Sequence, residues 1–313
     1  MIPNDSSSSD FNGKRLTPSR KAAKKYLFIL AAWRLGVRHA PRHSSRESHD
    51  ALRQARDIFW RHRRELPAFR ALIRAIEHRL LVALGPLPEP VLDIGCGDGH
   101  FAQVTIKHAA VGIDIAHHSL VEAKRRGVYE ALNVASACRI PYRSGSFGAV
   151  LANCAVEHIP KLDEVFSEVA RVLRPGGQFV FSVPTDQHNA NLWTAQLLDR
   201  VGAKGLARRY RGWFTRLQVH YHLYPPDEWQ RRIEAHGFKV TMRRGYLSPT
   251  ATAFLELGHY YGAPDVVARK ITGKWVVWPW RPFFALEEAV LAARVAEDGG
   301  PNSSECFFVA EKI

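Results

Sequence analysis

No two of the four cysteines, Cys96, Cys138, Cys154 and Cys306, are spaced as a Cys-x-x-Cys pair. This argues against a zinc ribbon and gives no disulfide framework. Each lies in or beside a strand-like run, so buried free thiols in a reducing compartment are expected. No apolar run approaches the ~20 residues that a membrane span needs. No small-residue cleavage site follows the one short apolar run near the N-terminus. No secretory signal is therefore read there, and a cytoplasmic location is expected. Acid is the other shortage, with 30 Asp and Glu against 44 Lys and Arg. The deficit is local: residues 1–85 hold 18 basic and 7 acidic side chains, the remainder 26 and 23. A basic N-terminal extension over 1–85 thus precedes a nearly neutral body over 86–313. At 313 residues and 46% hydrophobic, the chain can bury one sizeable core plus an appendage.

Residues 1–18 carry serine, asparagine and proline and read as disordered. Residues 19–37 read as a short basic helix with an aromatic-rich middle, from Lys21 through Phe28 to Trp33. Two readings stay open for it: a peripheral foot on an anionic membrane surface, or a helix packed against the body. A further helix is expected after Ser48 and Asp50, with Leu52, Ala55 and Phe59 on one face. Another follows Pro67, where Phe69, Leu72, Ile73, Ile76 and Leu80 form a helical stripe that Gly85 and Pro86 end. Arg61, Arg63, Arg64, Arg70, Arg74 and Arg79 of this pair read as a solvated face. A grip on nucleic acid or another polyanion is the less favoured alternative.

The chain is organised around Val91-Leu92-Asp93-Ile94-Gly95-Cys96-Gly97-Asp98-Gly99-His100. An apolar run ends in an acid and then in alternating glycines, as a buried parallel strand does when it turns tightly into a helix. Backbone N–H groups at the helix opening near His100 are expected to face a ligand. The next run ends in Asp114, placed to meet a ribose diol. His100 occupies the third position of the dinucleotide pattern Gly-x-Gly-x-x-Gly, which disfavours a dinucleotide. The glycines instead resemble motif I of the class I S-adenosylmethionine-dependent methyltransferases. Residues 151–159 resemble that family's fourth-strand motif, and Leu173-Arg174-Pro175-Gly176-Gly177 the turn before its fifth strand. The likeness extends from Pro86 to Ile313 and leans towards the ubiquinone/menaquinone-type enzymes.

The resemblance implies an α/β, Rossmann-like, doubly wound seven-stranded sheet whose last strand is antiparallel. Strands are read at 91–95, 111–115, 130–135, 147–154, 177–183, 238–242 and 305–312. Helices are read near 100–109, 117–126, 161–173 and 227–236. Residues 185–225 and 248–304 exceed the minimal fold and are expected to form the acceptor pocket and its lid. The resemblance also implies S-adenosylmethionine as cofactor. Asp93, Gly95, Cys96, Gly97 and Gly99 would hold its methionine end, Asp114 the ribose, and Ile115 the adenine. Ser136, beside Ala137, stands where the family usually has an Asp for the adenine amino group, and Gly148 replaces another usual Asp. Ser136, Ala137 and Asn153, which closes the fourth strand, are also expected to contact the cofactor.

Methyl transfer from a sulfonium needs alignment and exclusion of water, plus a base if the nucleophile carries a proton. Glu157, His158, His220 and Tyr221 are the candidates for general base and acceptor binding. His220 and His222 stand two apart, as a metal-binding pair could, but no third ligand falls at a diagnostic spacing and no metal is expected. Asn153-Cys154-Ala155-Val156 lacks the run typical of base-amine methylation. The expected activity is methyl transfer to a small-molecule, lipid-linked or glycan-type acceptor. The alternatives are an RNA or protein methyltransferase that uses the basic helices, and a cofactor-binding scaffold without catalysis. The oligomeric state is not legible.

Overall fold

The computed structural model describes residues 45–313, and these form one compact unit. The expected membrane foot over 19–37 lies outside the described residues. Two helices, α1 (Ser45–Arg63) and α2 (Ala68–Leu84), precede the first strand. They are followed by β1 (Val91–Ile94), α3 (His100–Thr105), β2 (Ala109–Asp114), α4 (His117–Arg126), β3 (Tyr129–Val134) and β4 (Phe147–Asn153). After a 3-10 turn (Val156–His158) come α5 (Leu162–Val172) and β5 (Leu173–Pro184). The first insertion supplies α6 (Gln187–Ala190), α7 (Trp193–Arg200) and α8 (Lys204–Gln218), before α9 (Pro226–Glu234) and β6 (Phe238–Tyr246). The second supplies α10 (Pro249–Tyr261), α11 (Ala263–Thr272), a 3-10 turn (Arg281–Phe284) and α12 (Ala285–Ala296), and β7 (Glu305–Lys312) ends the order.

The strands form one seven-stranded sheet in the order β3-β2-β1-β4-β5-β7-β6. β7 runs antiparallel between β5 and β6, and the other pairings are parallel, as expected. Alternation along the strands gives the sheet two apolar faces. Val150, Ala152, Phe179, Phe181 and Phe308 meet α5 and α9 through Phe166, Trp229 and Ile233. Leu151, Val180, Phe307 and Val309 face the other way, onto Phe59, Leu72, Ile76, Leu255 and Leu291. Helices α1, α2, α10 and α12 are therefore the cover of that second face.

The two helices before β1 thus pack on the sheet rather than standing apart from it. The charge contrast suggested an appendage, but burial of the stripe on α2, at about 1.5–3 kcal/mol per large side chain, outweighs it. Leu72 and Ile76 are buried, Phe69 and Ile73 half-buried. The arginines of this helix pair turn largely inward. Arg63 pairs with Glu287, Arg74 with Glu77 and Arg79 with Asp298, leaving Arg61 and Arg64 exposed. The two insertions are tied together by buried Glu256 of α10, which accepts from Thr194 N–H at 3.2 Å and from the Tyr210 hydroxyl at 2.6 Å. Gly148, which stands in place of an acid, follows from packing. A Cβ there would come within 2.6 Å of the Glu89 carbonyl oxygen.

Candidate active site

A cleft opens at the carboxyl ends of β1 and β4, where open α/β sheets bind ligands. Asp93, Gly95, Cys96, Gly97, His100 and Asn153 are among its lining residues. The glycine loop is held from beneath: Gly95 and Cys96 N–H donate to the Ile113 carbonyl at 2.9 and 3.2 Å. Gly95 has a φ of +67°, and a Cβ on it would lie 2.7 Å from that of Ala155, so no other residue fits. Asp114 accepts from Gly97 N–H at 2.9 Å and from Ala116 N–H at 2.8 Å. The acid expected to meet a ribose thus sets the loop. Ile115 beyond it is 76% exposed.

Several expectations change. The His100 N–H is taken by Asp98 Oδ1 at 3.0 Å, so that donor is not free for a ligand. Asp93 lines the cleft, but Tyr129 OH donates to its Oδ2 at 2.6 Å, and burial pushes its carboxyl up to about 7. The side chain of Asn153 is spent internally, donating to Glu77 at 2.7 Å and accepting from Ser182 at 3.0 Å. Ser136 is exposed and accepts from Cys138 N–H at 3.2 Å, while Ala137 is buried in the core. Neither lines the cleft. Buried Cys96 is held as a thiol, its pKa raised by burial and by Asp93.

Sequence reasoning missed the opposite wall. Arg70 and Arg74 of α2, Arg269 of α11, and His118, Ser119 and Glu122 of α4 line the same cleft. Arg126 clamps the loop from outside, donating to the Asp98 carbonyl at 2.8 Å and to Glu65 at 3.0 Å. Among the described residues, Arg70 and Arg269 make no ion pair, and both lie near the Trp275 ring. Beneath Arg74 sits Glu77, a carboxylate with no exposure. It accepts from Arg74 and Asn153 at 2.7 Å, and from Cys154 and Tyr246 at 2.8 Å.

The candidates for the acceptor side do come together past the end of β4. Glu157 and His158 lie on the 3-10 turn, with Glu157 1% exposed. Tyr221 N–H donates to the Glu157 carbonyl at 3.0 Å, its ring exposed. The rings of His158 and His220 are 5.3 Å apart. His222 is not part of this group, since it contacts the Ile159 carbonyl at 2.9 Å and the Tyr224 hydroxyl at 3.0 Å. Burial raises the Glu157 carboxyl well above its usual range. It lowers His158, and pushes His220 down to about 2, helped by His188 and His158.

The topology, the glycine loop and the acid after β2 together define a nucleoside-binding methyltransferase domain. The family sequence model described as "Methyltransferase domain" matches residues 92–181. A malonyl-[acyl-carrier protein] O-methyltransferase of Geobacter sulfurreducens is 30% identical over 53% of this chain and 67% of its own length. The like-named protein of Methylococcus capsulatus is 31% identical over 58% of this chain and 66% of its own. The chain belongs to the class I S-adenosylmethionine-dependent methyltransferases, and its cofactor is S-adenosylmethionine. It spans less than half of several other curated relatives, 21% and 47% of two of them. A phosphoethanolamine N-methyltransferase 2 of Haemonchus contortus has the same fold, with a TM-score of 0.50, 18% identity, and coverage of 75% of this chain and 52% of that one.

The residues present fit this cofactor. A loop whose backbone admits close approach stands beside two guanidiniums without carboxylate partners, which suits the carboxylate of a methionine end. The open ledge at Ile115 offers an apolar surface to a base.

Proposed function

We propose that the chain transfers a methyl group to a small, lipid-linked acceptor reached from a membrane surface. The observation that carries this reading is a set of exposed apolar side chains on the second insertion. Ile271, Trp278 and Phe283 are 78%, 77% and 75% exposed, with Trp280 beside them and Lys270 and Lys274 also exposed. Exposed tryptophans edged by lysines suit the boundary between headgroups and acyl chains of an anionic bilayer. Among the described residues no helix is long and apolar enough to cross a membrane, so the contact would be peripheral. Two relatives support an apolar acceptor by name. They are a sterol 24-C-methyltransferase of Gibberella zeae, 34% identical over 122 residues, and a squalene methyltransferase of Botryococcus braunii, 36% identical over 97.

When bound, S-adenosylmethionine supplies an already activated methyl group, so the chain's work is placement and exclusion of water. In this reading the glycine loop and Asp114 hold the nucleoside, and Arg70 and Arg269 take the carboxylate. Glu157, His158, His220 and Tyr221 receive the acceptor. Burial holds both imidazoles neutral and makes His220 a poor proton acceptor, so His158 is the better placed of the two to take an acceptor proton.

Flotation with anionic vesicles tests the surface. The full chain should float, and salt should weaken the contact. Replacing Trp278, Trp280 and Phe283 by alanine should release it while cofactor affinity is unchanged. Equal flotation of the variant, or turnover on water-soluble acceptors alone, would count against a membrane-borne acceptor. Should residues 19–37 also act as a foot, their removal would weaken flotation further.

A further inference from the structure

We propose that Glu157, His158 and His220 form a three-ligand site for a divalent transition cation, with zinc the best match. One atom from each lies within 4.8 Å of the others. Two imidazoles and a carboxylate, with a fourth position left over, are a donor set that zinc takes in open sites.

Hydrogen-bond accounting supports ligation over packing. Glu157 Oε2 and His220 Nδ1 are buried and find no partner among the described residues. A buried polar atom without a partner costs about 1–3 kcal/mol, so two such atoms in one cluster call for an explanation. A cation between them would satisfy both. His158 is oriented for the same task. Its Nδ1 donates to the Val219 carbonyl at 3.1 Å, which leaves the Nε2 lone pair on the side of Glu157, 3.5 Å from Oε1. Fixing one ring nitrogen on a carbonyl so that the other can bind is the usual outer support of a metal-bound histidine.

The backbone is also held under strain at both ends of the cluster. Cys154 has a φ of +48° and Val219 one of +57°, the second a β-branched residue in the left-handed region. Val219 directly precedes His220, and Cys154 stands three residues before Glu157. A tetrahedral ion with bonds of about 2.1 Å holds its donors roughly 3.4 Å apart, so side chains now within 4.8 Å of one another would close by at most about 1.4 Å.

The proposal deepens the reading of this cluster as the acceptor site, since a cation at its mouth would take an acceptor oxygen. Metal binding is measured without any acceptor, so failure of one reading is distinct from failure of the other. Full-length protein, stripped with a chelator and dialysed, is titrated with zinc chloride by competition calorimetry, and cobalt is substituted for its visible spectrum. The expected result is one equivalent bound, and cobalt bands of low coordination number. Glu157→Gln and His220→Ala should each weaken binding by about 100-fold or more, and His222→Ala by no more than about 3-fold. Circular dichroism and cofactor calorimetry on the same variants establish that they are folded. Absence of binding to the native chain would overturn the proposal, as would equal binding by folded His220→Ala protein.

Discussion

Two buried glutamates lie within reach of Cys154, and they are opposites. Glu77 is surrounded by donors: a guanidinium, an amide, a thiol and a phenol all point at its oxygens. Glu157 is as deeply buried, yet one of its oxygens has no partner among the described residues. Burial alone therefore says nothing about purpose, whereas hydrogen-bond saturation does. The saturated carboxylate ties α2 to the ends of β4 and β6 and has no capacity left for a ligand. The unsaturated one costs stability and keeps its capacity.

The sharpest way to break this comparison is to remove both. Glu77→Ala should cost about 3–5 kcal/mol, because Arg74 is left without its partner and several donors lose an acceptor. Glu157→Gln should stay within about 1 kcal/mol of the native chain in the absence of metal, since a neutral amide replaces a carboxyl that burial already disfavours as an anion. Urea unfolding of the two variants checks this, and a larger loss for Glu157→Gln would reverse the assignment.

Asp114 lies between the two extremes, with two backbone donors and spare lone pairs. Asp114→Ala should weaken S-adenosylmethionine binding by about 2 kcal/mol through lost charge-assisted contacts and a loosened Gly97 turn. Titration calorimetry reads this directly, and unchanged affinity would separate loop order from cofactor binding.

The comparison extends to buried bases. His78 is only 6% exposed and burial holds its pKa down to about 4, with Arg61 and Lys107 adding to the shift. The unfolded chain therefore takes a proton between pH 6.5 and about 4 that the folded chain refuses. Its share of stability is present above pH 6.5 and is lost as pH falls towards 4. His78→Asn should flatten that part of the stability curve by on the order of 1–2 kcal/mol, measured by urea midpoints across the range. The smallest effect is expected at Ser136. Its hydroxyl is exposed and tied to its own loop, so Ser136→Asp should move cofactor affinity by no more than about 0.5 kcal/mol.

What could be read in advance follows from how local the signals are. The glycine loop and the strands themselves rest on short, contiguous patterns of glycine and alternation, while the antiparallel placement of the last strand is implied only by the family resemblance those patterns carry. The wall of Arg70, Arg74 and Arg269 comes from elements nearly two hundred residues apart, so no local pattern records it. One sign was available. Glu77 stands four residues after Ile73 and three before Leu80, on the apolar stripe itself, where a charge needs a buried partner. The grouping of His220 with Glu157 and His158 was expected from the sequence, whereas the separation of His222 from it was not, because that depends on where the first insertion returns to the sheet.

The placement of β7 imposes an order of events. Among the described residues β6 pairs with no strand but β7, which is made only after the whole second insertion has been synthesised. Until then, residues 238–246 have no ladder to join, and β5 has an open edge of phenylalanines. A chain emerging from the ribosome must hold that edge in check while α10 to α12 are being added. Closing it is a long-range step with a correspondingly slow rate. Pausing translation between residues 246 and 305 should therefore leave a nascent chain that is sensitive to protease and captured by chaperones, a state that vanishes within the last dozen residues of the sheet.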